Sequence, residues 1–157
     1  MRTIEQLLPD HPFFTGLEEP ELRLVAGCAT NVHFHPGEFL FKQGGSAERF
    51  FIVRHGSVAI EVHSAERGTV VIDTVADGEV IGFSWLVPPY RYVFDGRAVV
   101  ETSAVAFDGT CLRGKCEDDP RLGYALMQRV SSVMYERMQA ARVRMLDMYG
   151  SPRDRAH

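Results

Sequence analysis

Hydrophobic residues change their spacing twice along the chain. Residues 2–8 are compatible with one helical turn ended by Pro9, and Glu18 to Cys28 has the spacing of an amphipathic helix. From Asn31 the period shortens to two, which is typical of strands whose alternate side chains face opposite sides. The short apolar or alternating runs, rich in β-branched and aromatic residues, are 32–34, 39–41, 50–53, 58–62, 70–75, 97–100 and 104–107.

Glycine-containing turn signals separate these runs. They are Pro36-Gly37, Gly44-Gly45, His55-Gly56, Arg67-Gly68 and Asp77-Gly78. Seven or eight short strands at such spacing predict a sandwich or a closed roll. The length of 157 residues fits one domain with one core. We place this domain at residues 1–150, with the roll at about 31–107.

After the roll the helical period returns, at residues 108–149. Asp108 to Cys116 predicts a short helix, and Asp118-Asp119-Pro120 is a good start for a second one that reaches Tyr149. A helix of about 30 residues is roughly 45 Å long, more than a small roll can cover. We therefore expect part of it to form a dimer seam. The predicted seam residues are Leu126, Val130, Val133, Met138, Ala141 and Met145. Residues 151–157 are predicted to be a loose tail.

Composition narrows the class of protein. The 17 basic and 21 acidic residues give a net charge of −4, which argues against coating nucleic acid by charge alone. No apolar run is long enough for a secretion signal or a membrane span. The three cysteines, Cys28, Cys111 and Cys116, are an odd number without a framework spacing. Reduced thiols in a cytoplasmic protein are the simplest interpretation.

Four segments carry a family resemblance. They are 11-HPFFTGLEEPEL-22, 36-PGEFLFKQGGSAERFFIVRHGSVAI-60, 77-DGEVIG-82 and 97-RAVVETSAVAFD-108. With the long helix, they resemble the cyclic-nucleotide-binding domain of the catabolite-activator/fumarate–nitrate-regulator superfamily. The resemblance implies a mainly β fold: an eight-stranded jelly-roll-like β-roll with short N-terminal helices and one long C-terminal helix. It also implies dimerisation through that helix.

The phosphate-binding segment departs from the family pattern. The family's glycine–glutamate pair, which holds the ribose, reads Gly82-Phe83 here. Without gaps, the family's phosphate-binding arginine falls on Tyr92, with Arg91 one residue away. Charge-assisted hydrogen bonds contribute about 1.5–3 kcal/mol each, so losing two anchors could weaken binding a hundredfold or more. This argues against tight binding of ordinary cyclic AMP.

Aromatic residues replace the lost anchors, and they either line a pocket or fill it. Rings can stack on a flat ligand, but Phe and Trp in a strand are more often core. If a ligand binds at residues 82–97, Arg91 supplies positive charge, and Arg97 more simply braces the segment. By the resemblance, the long helix covers the pocket. The predicted binding residues are Gly82, Phe83, Ser84, Trp85, Arg91, Tyr92 and Arg97, with Met134, Arg137 and Met138 from the helix.

Two further features compete as functional sites. His33 and His35 lie two apart on a predicted strand and so share a face, as metal ligands would, with Glu38 close in sequence. The turn of the roll explains the same residues, and we expect no metal. No nucleophile–base pair is visible, so we expect no enzyme. The superfamily's helix-turn-helix needs about 60 residues, and seven follow Gly150, so DNA binding by that route is not expected.

Two functions remain open. In the first, the chain is a non-enzymatic regulatory sensor that binds a small ligand, anionic or nucleotide-like, and signals through its long helix to an unknown partner protein. A cyclic nucleotide is one candidate for that ligand. In the second, the pocket is filled, and the chain is a dimeric interaction module. A transcriptional co-regulator is compatible with either.

Overall fold

Eight strands form two antiparallel four-stranded sheets that face each other as a roll. The computed structural model describes residues 2–149 and the side chains of residues 2–148. One sheet has the order β1-β8-β3-β6 and the other β2-β7-β4-β5. The strands are β1 Ala29–Phe34, β2 Phe39–Phe41, β3 Arg49–His55, β4 Ser57–Ser64, β5 Gly68–Ala76, β6 Val80–Ile81, β7 Asp95–Ala98 and β8 Thr102–Asp108. The predicted β-roll is confirmed, with the short β6 added to the seven predicted runs.

Helices flank the roll at both ends of the chain. The helices are α1 Ile4–Leu7, α2 Glu19–Ala26, α3 Gly109–Asp118 and α4 Pro120–Tyr149. Asp108 caps α3 by accepting a hydrogen bond from the backbone N–H of Cys111. Among the described residues, none of the helices combines the length and the apolar character that a membrane span requires. The predicted helix end at Gly150 and the predicted loose tail lie outside the described residues.

Strand β3 is buried on both faces, and this divides the apolar interior into two clusters. Phe51 and Val53 point into the roll, whereas Phe50 and Ile52 point towards the helices. This follows from the two-residue period of a strand. Between the roll and the helices, Phe50 stacks on Phe107 with ring centroids 4.5 Å apart. Helices α3 and α4 are therefore held by the outer face of the first sheet.

A disulfide corrects the prediction of reduced thiols. Cys28 and Cys111 are bonded across a sequence separation of 83 residues, while Cys116 is free. Antiparallel pairing of β1 with β8 sets Ala29 opposite Phe107, which carries the two cysteines to the same end of the sheet. That pairing cannot be read from the spacing of the cysteines. The cysteines consequently no longer argue for a reducing compartment.

Candidate functional site: a cavity between the roll and the long helix

A cavity of about 430 Å³ opens between the second sheet, the segment after β6 and the middle of α4. Its size is within the range of small-molecule sites. The lining is mostly apolar: Phe41, Ile60, Ile72, Ile81, Gly82, Phe83, Val87, Pro88, Pro89, Tyr92, Val93, Phe94 and Met134, with Asp73, Ser84, Arg91 and Arg137 as the polar members. Three of the aromatic residues after β6, Phe83, Tyr92 and Phe94, therefore line a cavity and do not close it.

Gly82 lets the chain turn sharply into the cavity wall. Its φ of 93° is left-handed, and a Cβ placed on it would lie 3.3 Å from the carbonyl oxygen of Arg49. Gly82 is followed by a single 3-10 turn, Phe83–Leu86. A side chain here would meet both a strained backbone and a neighbouring strand. The turn presents Phe83 and Ser84 to the cavity.

Trp85 does not lie in the cavity, which corrects its predicted role as a pocket residue. Its side chain is fully buried on the helix side of the sheet, and its ring stacks on Phe50 at a centroid distance of 5.1 Å. In a strand, Phe83 and Trp85 would share a face, but a 3-10 turn has three residues per turn and separates them. The indole N–H of Trp85 has no acceptor within the described part of the chain.

Tyr92 forms one wall of the cavity and holds the loop in place. Its ring stacks on Phe41 with centroids 4.4 Å apart, and its hydroxyl donates to the carbonyl oxygen of Arg49. Burial raises the pKa of Tyr92, and the hydrogen bond to Arg49 partly opposes this shift. Because the hydroxyl is already engaged, Tyr92 offers a ring face to a ligand rather than a hydrogen bond.

Two guanidinium groups border the cavity. Arg91 is exposed and donates to the carbonyl oxygen of Gly44 at 3.2 Å. Arg137, from α4, donates to the carbonyl oxygen of Val80 and lies 5.2 Å from the centroid of the Phe83 ring. Burial lowers the pKa of Arg137, and nearby Glu79 and Asp73 partly oppose this shift. Neither arginine forms a salt bridge to a carboxylate among the residues described.

Arg97 and Met138, like Trp85, lie outside the cavity, whereas the other predicted binding residues line it. Arg97 forms an ion pair with Glu61, Nη2 to Oε1 at 2.7 Å, across neighbouring strands β7 and β4. The Glu61 carboxylate is almost fully buried, so this arginine neutralises a charge inside the sheet and is not free for a ligand. Arg97 thus braces the sheet. Met138 is the residue after Arg137 and points from a different face of α4.

The register of α4 also corrects half of the predicted dimer seam. Leu126 and Val130 are buried against the protein's own roll, and Val133 is packed on the same cluster. A second face of α4 is exposed, and its residues repeat at alternating steps of four and three. This methionine stripe consists of Met127, Ser131, Met134, Met138, Ala141, Met145 and Met148. Its period is the one typical of a coiled-coil seam. Met134 belongs both to the stripe and to the cavity lining.

The sequence did not point to Ile60 of β4, Ile72 and Asp73 of β5, or Ile81 of β6 as cavity residues. For Ile60, Ile72 and Asp73 the alternation predicted strands but not which face borders a cavity, and the short strand that carries Ile81 was not predicted. Asp73 is paired with Arg144 of α4, with Oδ1 and Nη1 3.4 Å apart. The cavity is thus enclosed by contributions from both sheets and the helix, which only the tertiary structure brings together.

Comparison with known proteins settles the family. The family model of the cyclic nucleotide-binding domain matches residues 31–119, which is more than half of the chain. The chain belongs to this family. The match covers the roll, α3 and the segment that forms the cavity wall, and it confirms the resemblance based on the glycine-containing motifs.

Individual relatives agree with this assignment. The helix-turn-helix-type transcriptional regulator Cmr of Mycobacterium tuberculosis is 29% identical over 136 residues, 87% of this chain and 54% of that protein. The chain therefore spans about half the length of this curated relative. A structure from Geobacter metallireducens GS-15, named for cyclic nucleotide binding, is 28% identical with a TM-score of 0.77, covering 88% of this chain and 99% of that one.

A more distant protein of known structure shares the fold. The catabolite activator protein of Thermus thermophilus has a TM-score of 0.68 and 18% identity, covering 85% of this chain and 61% of that one. At that identity the likeness establishes the fold alone. The fold of this chain is therefore shared with part of that protein.

Proposed function

We propose that this chain is a non-enzymatic regulatory sensor whose cavity binds a small ligand with an apolar or aromatic body and one anionic group. The observation that carries the proposal is the cavity of about 430 Å³ with a mostly apolar lining and two guanidinium groups at its border. An apolar lining favours an apolar body through burial. Arg137 or Arg91 would pair with a carboxylate or phosphate.

The donor set of the cavity suits this ligand better than ordinary cyclic AMP. Phe83 stands where the family pattern has a carboxylate for the ribose, and the Tyr92 hydroxyl is engaged with the backbone of Arg49. The ring of a nucleotide could still stack on Tyr92 or Phe83. However, a ribose and a cyclic phosphate would leave several polar groups without partners in an apolar wall, which is costly.

The open cavity also supports the sensor over the alternative of a filled interaction module. In a filled roll, the side chains of Phe83, Tyr92 and Phe94 would close the space between the sheets and α4. Here they line it, together with Met134 and Arg137 of the helix. A ligand there would contact roll and helix at once, so it would favour one arrangement of α4 over another. We propose that this helix also joins two copies of the chain and passes the signal to a partner protein.

The first experiment is a melting-temperature screen followed by calorimetry. The panel contains cyclic AMP, cyclic GMP, aromatic carboxylates and medium-chain fatty acids. A ligand at a hundred times its Kd stabilises the protein by about 2.7 kcal/mol, which gives a clear shift. We expect shifts with amphiphilic anions and weak or no shifts with the cyclic nucleotides.

Matched variants test the charge anchors. Arg137→Gln and Arg91→Gln remove one charge each at the cavity border, and Arg142→Gln removes one from an exposed position of the same helix. For a charge-assisted hydrogen bond of about 1.5–3 kcal/mol, the anchoring variant loses at least about tenfold in affinity. Arg142→Gln should bind normally. No shift with any compound would contradict the sensor proposal, and tight cyclic nucleotide binding would contradict the proposed ligand class.

A further inference from the structure

Two histidines and a glutamate meet on the surface at the far end of β1, away from the cavity. His33 is in β1, His35 follows its last residue, and Glu101 precedes β8. The antiparallel register sets His33 opposite Ser103 and Phe34 opposite Thr102, which brings Glu101 beside the end of β1. His33 and His35 are two apart in extended backbone and therefore project from the same face.

The three side chains are already turned towards one another. The Nδ1 atom of His35 lies 2.9 Å from Oε1 of Glu101, and Nε2 of His33 hydrogen-bonds to Oε2 of the same carboxylate. One nitrogen or oxygen from each residue lies within 4.8 Å of the others. Their side chains are between 53% and 69% exposed, so a solvated ion can reach them.

We propose that His33, His35 and Glu101 bind a divalent transition metal ion, with Zn²⁺ as the best fit. Zinc takes imidazole nitrogen and carboxylate oxygen at about 2.0–2.2 Å, which places neighbouring ligand atoms about 3.4 Å apart in a tetrahedron. The present spacing needs only small side-chain rotations to reach this geometry. Three protein ligands leave one position for water or for a group from a partner.

The charges around the cluster favour a cation. Glu38 is not one of the three proposed ligands. Its carboxylate is nevertheless held beside the cluster, because Oε1 accepts a hydrogen bond from the backbone N–H of His35 at 3.0 Å. With both imidazoles neutral, Glu101 and Glu38 give the region two negative charges. The same hydrogen bond holds the backbone of His35, one of the three proposed ligand residues, in place. The sequence showed Glu38 close to the two histidines and gave no expectation of a metal, whereas the structure brings Glu101 to them.

The site does not depend on the proposed cavity function. None of the three residues lines the cavity. Metal binding can therefore be measured with the metal alone, and the Arg137→Gln variant should bind zinc normally. Failure of the ligand screen would leave the zinc result standing, and failure of zinc binding would leave the ligand result standing.

The test is calorimetry with zinc chloride on the full chain without an affinity tag, at mildly alkaline pH so that the imidazoles are neutral. We expect one Zn²⁺ per chain. His33→Asn, His35→Asn and Glu101→Gln should each weaken binding by at least about tenfold, since even loss of an outer-shell partner costs 10–100-fold. His63→Asn is the matched control, because His63 contacts Thr69 on β5 and not the cluster.

A second readout separates ligation from simple surface binding. Co²⁺ in place of Zn²⁺ should give visible absorption bands of a low-coordinate nitrogen–oxygen site, and these bands should vanish in Glu101→Gln. Melting curves without metal should show that each variant is folded. Absence of saturable zinc binding would overturn the proposal. Binding that is equal in the wild type and all three cluster variants would overturn it as well.

Discussion

At the scale of single residues, Gly82 determines the shape of the cavity wall. Its left-handed backbone turns the chain from β6 into the 3-10 turn that carries Phe83. An L-residue in this conformation costs about 1–2 kcal/mol, and the Cβ contact with the Arg49 carbonyl adds to that cost. Gly82→Ala should therefore lower the free energy of unfolding by at least about 1 kcal/mol, measured by denaturant titration.

Gly114 provides the control for this prediction. It lies on the exposed side of α3, where a Cβ would meet nothing within 4 Å. Gly114→Ala should be neutral or stabilise by about 0.5–1 kcal/mol, because alanine loses less backbone entropy in a helix. Equal free energies of unfolding for the two variants would show that position 82 does not require the left-handed backbone conformation of glycine.

Phe83 and Trp85 show where residue-scale prediction from sequence ends. The sequence placed both residues in the predicted ligand-binding segment. The chain makes a 3-10 turn, because Gly82 can adopt a positive φ. The glycine was visible in the sequence, but its backbone conformation depends on the approach of the strand that carries Arg49. Such a tertiary contact is absent from local patterns, and so Trp85 was assigned to the wrong side of the sheet.

At the scale of elements, the disulfide fixes the N-terminal helices to the C-terminal ones. Cys28 lies between α2 and β1, and Cys111 lies in the first turn of α3. Closing a loop of 83 residues lowers the entropy of the unfolded chain, an effect worth about 4.5 kcal/mol in the chain-entropy model. Cys28→Ala combined with Cys111→Ala should lower the unfolding free energy by several kcal/mol.

Denaturant titration with and without a reductant checks this prediction. The reductant should destabilise the wild type and leave the double variant unchanged. Cys116→Ala is the control, because Cys116 is the free thiol and its loss should preserve the response to reductant. An intact mass that shows three alkylatable thiols without prior reduction would be incompatible with the disulfide.

Helix α4 shows how far element-scale prediction from sequence reaches. Its start near Pro120 followed from local signals and is confirmed, and the described part of the helix reaches Tyr149. The sequence did not predict which face of α4 packs on the roll, because the helix has two apolar faces whose residues are offset by one position. Leu126 and Val130 belong to the face that packs on the roll. Periodicity alone cannot tell which of two adjacent faces meets the sheet and which meets solvent.

At the scale of the whole molecule, the methionine stripe predicts an interface between two copies. Exposed apolar side chains on a helix at coiled-coil spacing are costly in water unless a partner covers them. Met145 is 55% exposed and lies on the stripe. Val143 is 57% exposed and lies on the opposite side of α4 by helical spacing. Met145→Glu should shift the protein from dimer to monomer, whereas Val143→Glu should leave the dimer intact, as measured by analytical ultracentrifugation.

The cavity and the stripe share Met134, and Arg137 lies on the same turn of α4. If a cavity ligand changes the dimer dissociation constant by some factor, dimerisation must change the ligand Kd by the same factor. The Met145→Glu monomer should therefore differ from the wild-type dimer in ligand affinity, although Met145 does not touch the cavity. Equal affinities, together with a dimer constant that the ligand leaves unchanged, would show that α4 closes the cavity without carrying its signal.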